Sequence, residues 1–256
     1  MQIMTFNLRI KTGTDNTNSW NKRVEKIAKL IKKYSPEIIG TQEGTLEMLK
    51  DLENNLDEYV WLGEGRFGGS KGEYCAIFYK KSDIDLIGNG QFWLSKTPDI
   101  PGSKNWDSAF PRVCTWGHFQ LENKKDFMCL NTHLDHESEE ARVKGIQLIN
   151  EFFSERLEQK PGILMGDLNA EPDSDEIKEI KLNTDLINSY QHLEGKQGAT
   201  YHNFSGKIEG KPIDYIFTTP EININKSYII IDFFKNEAIE KLYPSDHYPV
   251  MAEVEI

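Results

Sequence analysis

The stretch Ile163-Leu164-Met165-Gly166-Asp167-Leu168-Asn169-Ala170 decides how this chain is read. Ile163–Asp167 has the length and residue types of a short strand. It runs out into a carboxylate and an amide two positions apart, which project to one side if the extended geometry persists. A lone Asp-x-Asn after an apolar strand is commonly a turn or a helix cap, because both side chains bond nearby backbone N–H groups. Here the pattern recurs. Asn7 ends the run Ile3–Asn7, Glu43 follows Ile38–Gln42, and His133 ends Phe127–His133. Asp214 lies at the start of Ile213–Phe217, and Ser245-Asp246-His247-Tyr248-Pro249 precedes the last run, Pro249–Val254. Polar, metal-competent residues thus gather repeatedly at strand ends.

Further strands are expected at Tyr74–Tyr79, Val113–Phe119 and Tyr228–Ile231. Between them, Val24, Ile27, Leu30 and Ile31 recur at helical spacing on a Lys-rich segment, which predicts an amphipathic helix from Trp20 to Tyr34. Helices are also expected over Thr45–Leu56 and Glu139–Leu157, the latter closed off by Pro161-Gly162. No repeat of fixed period and no low-complexity linker interrupts the chain. One domain over residues 1–256, of sheets covered by helices, fits better than two. The longest irregular stretch, Ser95–Pro111, is long enough to be functional.

Composition narrows the possibilities. No apolar run approaches the roughly 20 residues a bilayer crossing needs, so no membrane span is expected. The opening Met1–Asn7 lacks the basic start and cleavage site of a secretory signal, and a cytoplasmic chain is expected. Cys75, Cys114 and Cys129 form no CxxC pair and sit in apolar runs, as buried reduced thiols do. The net charge of −11 counts against a long polyanion as partner. No protein partner is indicated.

The ordered set Phe6-Asn7, Gln42-Glu43, Gly166-Asp167-Leu168-Asn169-Ala170 and Ser245-Asp246-His247-Tyr248-Pro249 resembles the endonuclease/exonuclease/phosphatase superfamily, similar to deoxyribonuclease I, over essentially the whole chain. The resemblance implies a four-layered α/β/β/α sandwich, with two mainly antiparallel mixed sheets packed face to face and helices outside. It also implies hydrolysis of a P–O ester bond. The region from Phe92 through Trp106 to Arg112 is similar to an uncharacterised bacterial branch, which leaves the substrate open.

A phosphate ester repels nucleophiles, so catalysis needs neutralised charge and an oriented water. Hard oxygen donors suit Mg²⁺ or Mn²⁺, and Glu43 is the leading candidate, with Asn7 and Asp246 contributing oxygen directly or through water. Asp167 is expected to orient or deprotonate the attacking water and Asn169 to position it or the phosphate. His247 suits a base or cationic donor. By resemblance Asp214 fixes its tautomer, His133 pairs with Glu73, and Arg112 clamps phosphate. Zinc at His133 and His136 is the rival, but an oxygen-rich set suits a harder ion. Trp106, in a polar loop, is the better substrate contact than Tyr74 or Trp93, which more often belong to cores. His118, His192 and His202 read as packing or surface residues, and the roles of Asp135 and His136 stay open.

The leading expectation is therefore a metal-dependent phosphoesterase acting on a small phosphorylated molecule such as a sugar phosphate. A nuclease acting on DNA or RNA is the runner-up, since one fold hosts both. A catalytically silent phosphate-binding module is the alternative from another class.

Overall fold

Trp20, Ile27, Leu30 and Ile31 form the buried stripe of the first helix, which ends where Ser35 turns left-handed (φ 52°) and its N–H bonds to the Ile31 carbonyl at 2.7 Å. The computed structural model describes residues 1–156, 160–235 and 241–256. In chain order the elements are β1 (Gln2–Asn7), α1 (Trp20–Tyr34), β2 (Ile38–Gln42), β3 (Gly44–Thr45), α2 (Leu46–Glu53), β4 (Tyr59–Leu62), β5 (Glu73–Tyr74) and β6 (Ile77–Lys80). There follow β7 (Ile84–Trp93), β8 (Val113–Leu121), β9 (Asp126–His133), α3 (Glu139–Arg156), β10 (Gly162–Asp167) and α4 (Asp175–Asn183). The last are β11 (Ile187–Asn188), β12 (Asp214–Thr218), β13 (Asn223–Ile229) and β14 (Val250–Glu255). Among the described residues, no helix is long and apolar enough to cross a membrane.

Two six-stranded mixed sheets result, in the orders β13-β14-β1-β2-β6-β4 and β11-β12-β10-β9-β8-β7. Only β1–β2 and β9–β10 run parallel within them. One apolar cluster, including Ile3, Ile38, Phe119, Cys129, Ile163 and Met165, fills the space between the sheets. A second packs α1 and α2 onto the outer face of the first sheet, and a third packs α3 and α4 onto that of the second. The expected four-layered α/β/β/α sandwich is the observed one. Each fully buried Ile, Leu or Phe stabilises by about 1.5–3 kcal/mol, whereas an internal hydrogen bond nets about 1 kcal/mol. Apolar contact therefore holds the sheets together, and the polar bonds across the seam fix their alignment. There Asn131 donates to the carbonyls of Thr41 and Ala76, both at 2.9 Å, and Gln42 donates to the Asn131 Oδ1 at 2.7 Å.

One expectation needs correction, and some elements, β4 among them, went unread. The run Tyr74–Tyr79 is two strands, because β5 pairs with β3 while β6 pairs with β2 and β4. The break falls at Cys75-Ala76, where the Ala76 carbonyl accepts from the backbone N–H of Thr41. The strand β7 went unread because Asn89, Gly88 and Gly90 dilute its β propensity, and it carries a register shift between Leu86 and Gly88. The short, highly charged α4 gave no clear apolar stripe. The expected last residue of the α3 helix, Leu157, lies outside the described residues.

Candidate active site

Strand register builds the centre of the site. Asp167 ends β10 directly opposite Asp214 on β12 and directly opposite His133 on β9, so three functional side chains stand in a row across neighbouring strands. The approach is close enough to require glycine at position 166, where φ is +151° and a Cβ would lie 2.0 Å from the Thr132 carbonyl oxygen. Asn169 then turns left-handed (φ 47°), its backbone N–H donating to Asp167 Oδ1 at 2.9 Å. On the facing sheet β1 ends at Asn7 beside Gln42, and Glu43 follows with φ 63°, a conformation that costs a non-glycine residue energy and marks functional sites. Asn7 closes the seam, its Nδ2 donating to Asp167 Oδ2 at 2.9 Å and to Glu43 Oε1 at 3.0 Å.

The histidines occupy different electrostatic settings. His247 Nδ1 donates to Asp214 Oδ2 at 2.9 Å, and its Nε2 faces Asp167 Oδ2 at 3.8 Å. Burial alone would drive the His247 pKa down, but the Asp214 carboxylate outweighs it and holds the ring protonated. Burial, reinforced by the Asp214 charge, pushes the Asp167 carboxyl up. His133 is the reverse case: burial and the nearby Arg112 charge hold it well below the ordinary imidazole value. A neutral ring is what its contact requires, since Nε2 accepts from Asn169 Nδ2 at 3.0 Å. Burial, against the pull of His247 and with the push of Glu43, raises the Asp246 carboxyl as well.

Asp167, Asn169, His133, Asp246 and His247 line a cavity of about 360 Å³, together with Glu43, Arg66, Glu73, Phe110, Arg112 and Tyr201, while Asp214 stands behind His247. The sequence from residue 4 to 247 matches the model of the Endonuclease/Exonuclease/phosphatase family. The chain belongs to the endonuclease/exonuclease/phosphatase family. Among solved structures, the phosphoesterase is similar to a mannosyl-6-phosphatase of Bacteroides thetaiotaomicron VPI-5482, with 35% identity, 100% of both chains covered and a TM-score of 0.95. It is also similar to a family member from Bacteroides vulgatus, with 32% identity, 100% of this chain and 98% of the other covered, and a TM-score of 0.91. D. rerio TDP2, complexed with a single-stranded DNA product, shares the fold at 15% identity over 100% of this chain and 99% of the other, with a TM-score of 0.79. No curated protein matches the sequence.

In this phosphoesterase most of the expected site residues converge on the cavity, with two corrections. Glu73 does not pair with His133; it forms a two-pronged ion pair with Arg66, at 2.7 and 3.0 Å, because the Gly65–Lys71 turn carries that guanidinium back over β5. Trp106 does not line the cavity; it is half-buried, and its carbonyl accepts from Ser138 Oγ. Phe110 takes the place expected of it. Asn7 turns its amide nitrogen toward Glu43 and Asp167, since two carboxylates demand a donor, while its Oδ1 accepts from the Arg9 N–H at 2.9 Å. It thereby bridges the two carboxylates across the seam. Trp93 and Tyr74 are core residues.

Asp135, whose role the sequence left open, pins the Ser95–Pro111 segment: its carboxylate accepts from Ser108 Oγ, the Ala109 N–H and Arg112 Nε. Arg112 in turn contacts His136 Nδ1 at 3.0 Å. His202 is buried against Tyr248, ring centroids 4.0 Å apart, and is absent from the cavity lining; burial pushes its pKa down to about 4. His118 pairs with Asp126 at the surface.

Arg23 escaped sequence reading because it sits among the Lys residues of α1. Its buried guanidinium donates to four carbonyls, those of Leu8, Arg9, Asn18 and Pro244. It thus ties the segment leaving β1 to the one that presents Asp246. The only sequence signal was an arginine on the helix face that otherwise carries the apolar stripe.

Donor atoms of Asp167, Asp214 and His247 lie within 4.8 Å of one another, a buried group that could bind a metal. There, however, an ion would compete with the His247–Asp214 hydrogen bond. Glu43 and Asp246 offer a second set: two carboxylates on the same cavity, one with a charge disfavoured by burial and by the other. A hard divalent cation would relieve that repulsion, so the donor chemistry fits Mg²⁺ or Mn²⁺.

Proposed function

We propose that this phosphoesterase is a Mg²⁺- or Mn²⁺-dependent phosphomonoesterase that removes phosphate from a small phosphorylated sugar. The observation that carries the reading is the cavity of about 360 Å³ at Asp167 and His247, the scale of a small-ligand pocket. Similarity to a mannosyl-6-phosphatase over the full length supports it. Water is placed beside Asp167, whose raised pKa suits a base working near neutrality. As the water's proton passes to Asp167, its oxygen bonds to phosphorus, the P–O bond to the sugar breaks, and the departing sugar oxygen takes a proton from solvent to leave as the alcohol.

His247 stays protonated through Asp214 and donates to the phosphoryl oxygens as charge builds on them. Asn169, tethered to neutral His133, holds a phosphoryl oxygen or the water, and Arg112 supplies a planar donor fork. An ion held by Glu43 and Asp246 would neutralise phosphate charge and stabilise the departing oxygen. A panel with Mg²⁺ comparing hexose phosphates, nucleotides, plasmid DNA and RNA tests the assignment. Hexose monophosphates should give the highest kcat/KM. A far higher kcat/KM on DNA or RNA at physiological salt would replace this reading with the nuclease one.

A further inference from the structure

One stretch of the cavity lining is not needed for attack on phosphorus. Glu73 grips Arg66 with both oxygens, the Arg66 guanidinium lies 4.3 Å over the Phe110 ring, and that ring is near-parallel to His136 at 6.0 Å and 17°. We propose that this layered wall is the seat of the leaving alcohol and that it selects an uncharged, polyhydroxylated one. The inference rests on the phosphosugar reading above and specifies what that site accepts.

Charge matching decides against a second anionic group. Each guanidinium that lines the cavity already faces a carboxylate: Arg66 with Glu73, Arg112 with Asp135 at 3.3 Å, and Arg9 with Asp15 at 3.3 Å. A second phosphate at the wall would face the Glu73 carboxylate and compete with it for both prongs of Arg66, leaving that largely buried carboxylate uncompensated, which is strongly unfavourable. Neutral hydroxyls meet no such obstacle. They can bond the outer edges of a carboxylate–guanidinium pair without breaking it.

Arg66 Nε is buried with no hydrogen-bond partner, an unmet donor in the wall. Phe110, 41% exposed, gives the wall an apolar member for the C–H face of a sugar ring. Planar hydrogen-bonding groups beside an aromatic ring are the combination that a polyol with one apolar face requires. The wall shares one cavity with Asp167 and His247, so an alcohol esterified to a phosphate held beside those two residues can rest against it.

The test is steady-state kinetics of the full chain with Mg²⁺ on a hexose 6-phosphate, a hexose 1,6-bisphosphate and methyl phosphate, for wild type and for Phe110→Ala and Arg66→Gln. Wild type should favour the hexose monophosphate over the bisphosphate by at least about tenfold. Each variant should lower the ratio of kcat/KM for hexose phosphate to that for methyl phosphate by about tenfold or more, chiefly through KM. Phe110→Ala keeps the test sound if loss of the Arg66 pair disturbs folding, because the Phe110 ring is partly in solvent. An unchanged ratio in Phe110→Ala, or a wild type that takes the bisphosphate as readily as the monophosphate, overturns the proposal. Failure of the phosphosugar reading itself would show separately, as a wild type that hydrolyses methyl phosphate and no sugar phosphate.

Discussion

Replacing Arg23 with Met should destabilise the protein and loosen the ion site together. The guanidinium serves four carbonyls, and those of Leu8 and Pro244 are buried, at 2.6 and 3.0 Å. Stripped of a donor, each buried carbonyl costs about 1–3 kcal/mol. Water can reach the partly exposed Arg9 and Asn18 carbonyls, so these add little. Against the sum, Arg23→Met removes a cation whose pKa burial pushes down to about 10, which returns part of the desolvation cost. A net loss of about 2–4 kcal/mol remains, which lowers Tm by about 5–15 °C in a domain of this size. The two buried carbonyls flank Asn7 on one side and Asp246 on the other, so Mg²⁺ should also bind more weakly. Thermal melts recorded across a Mg²⁺ titration, with Arg23→Lys as the conservative comparison, read both effects. A Tm within a degree of wild type, with an unshifted Mg²⁺ midpoint, would refute the reasoning.

Chelation with excess EDTA should abolish hydrolysis, with Mg²⁺ or Mn²⁺ restoring it and Glu43→Gln raising the concentration required; full turnover in EDTA would remove the ion from the scheme. Asp167→Asn and His247→Ala should each lower kcat by about 10²–10⁴-fold while circular dichroism stays native, and wild-type turnover in either would refute the role given to that residue. Burial pushes the Asp135 carboxyl up, but the N–H groups of Ser138, Ala109 and Glu137 and the Arg112 charge outweigh it and hold its pKa well below the carboxylate range. Stability from this group is therefore complete above the ordinary Asp value and is lost as pH falls through the folded value. Asp135→Asn should flatten the decline of Tm below about pH 4, and an acid limb identical to wild type would count against it.

The parts of the site legible in the sequence were those carried by strand ends. Asp167 and His133 terminate runs that begin with three or four consecutive apolar residues, Ile163–Met165 and Phe127–Leu130, so their place at strand ends follows from the pattern alone. Asp214 and His247 needed the resemblance, because nothing in their spacing says that a strand start and a loop residue 33 positions later meet at 2.9 Å. Glu73 went astray for a physical reason: its partner Arg66 lies seven residues back in a turn whose path is set by Gly68, Gly69 and Gly72, all at positive φ. Phe110 and Trp106 are both aromatic residues in one long loop. The anchoring of that loop by Asp135 and Ser138 determines which of them reaches the cavity.

The bridge that Asn7 makes from Glu43 to Asp167 spans the boundary between the two sheets, and this makes turnover a gauge of interlayer packing. Neither sheet holds the reactive geometry by itself. A slide of one layer past the other by an ångström would stretch a 2.9 Å contact beyond hydrogen-bonding distance while leaving each strand intact. Volume changes at Met165 or Cys129, deep in the filling between layers and far from solvent, would then register first as lost rate and only later as lost structure. For anyone reshaping this enzyme, the tolerant ground is the solvent-facing side of the outer helices, and the interlayer filling has to be treated as part of the catalytic apparatus.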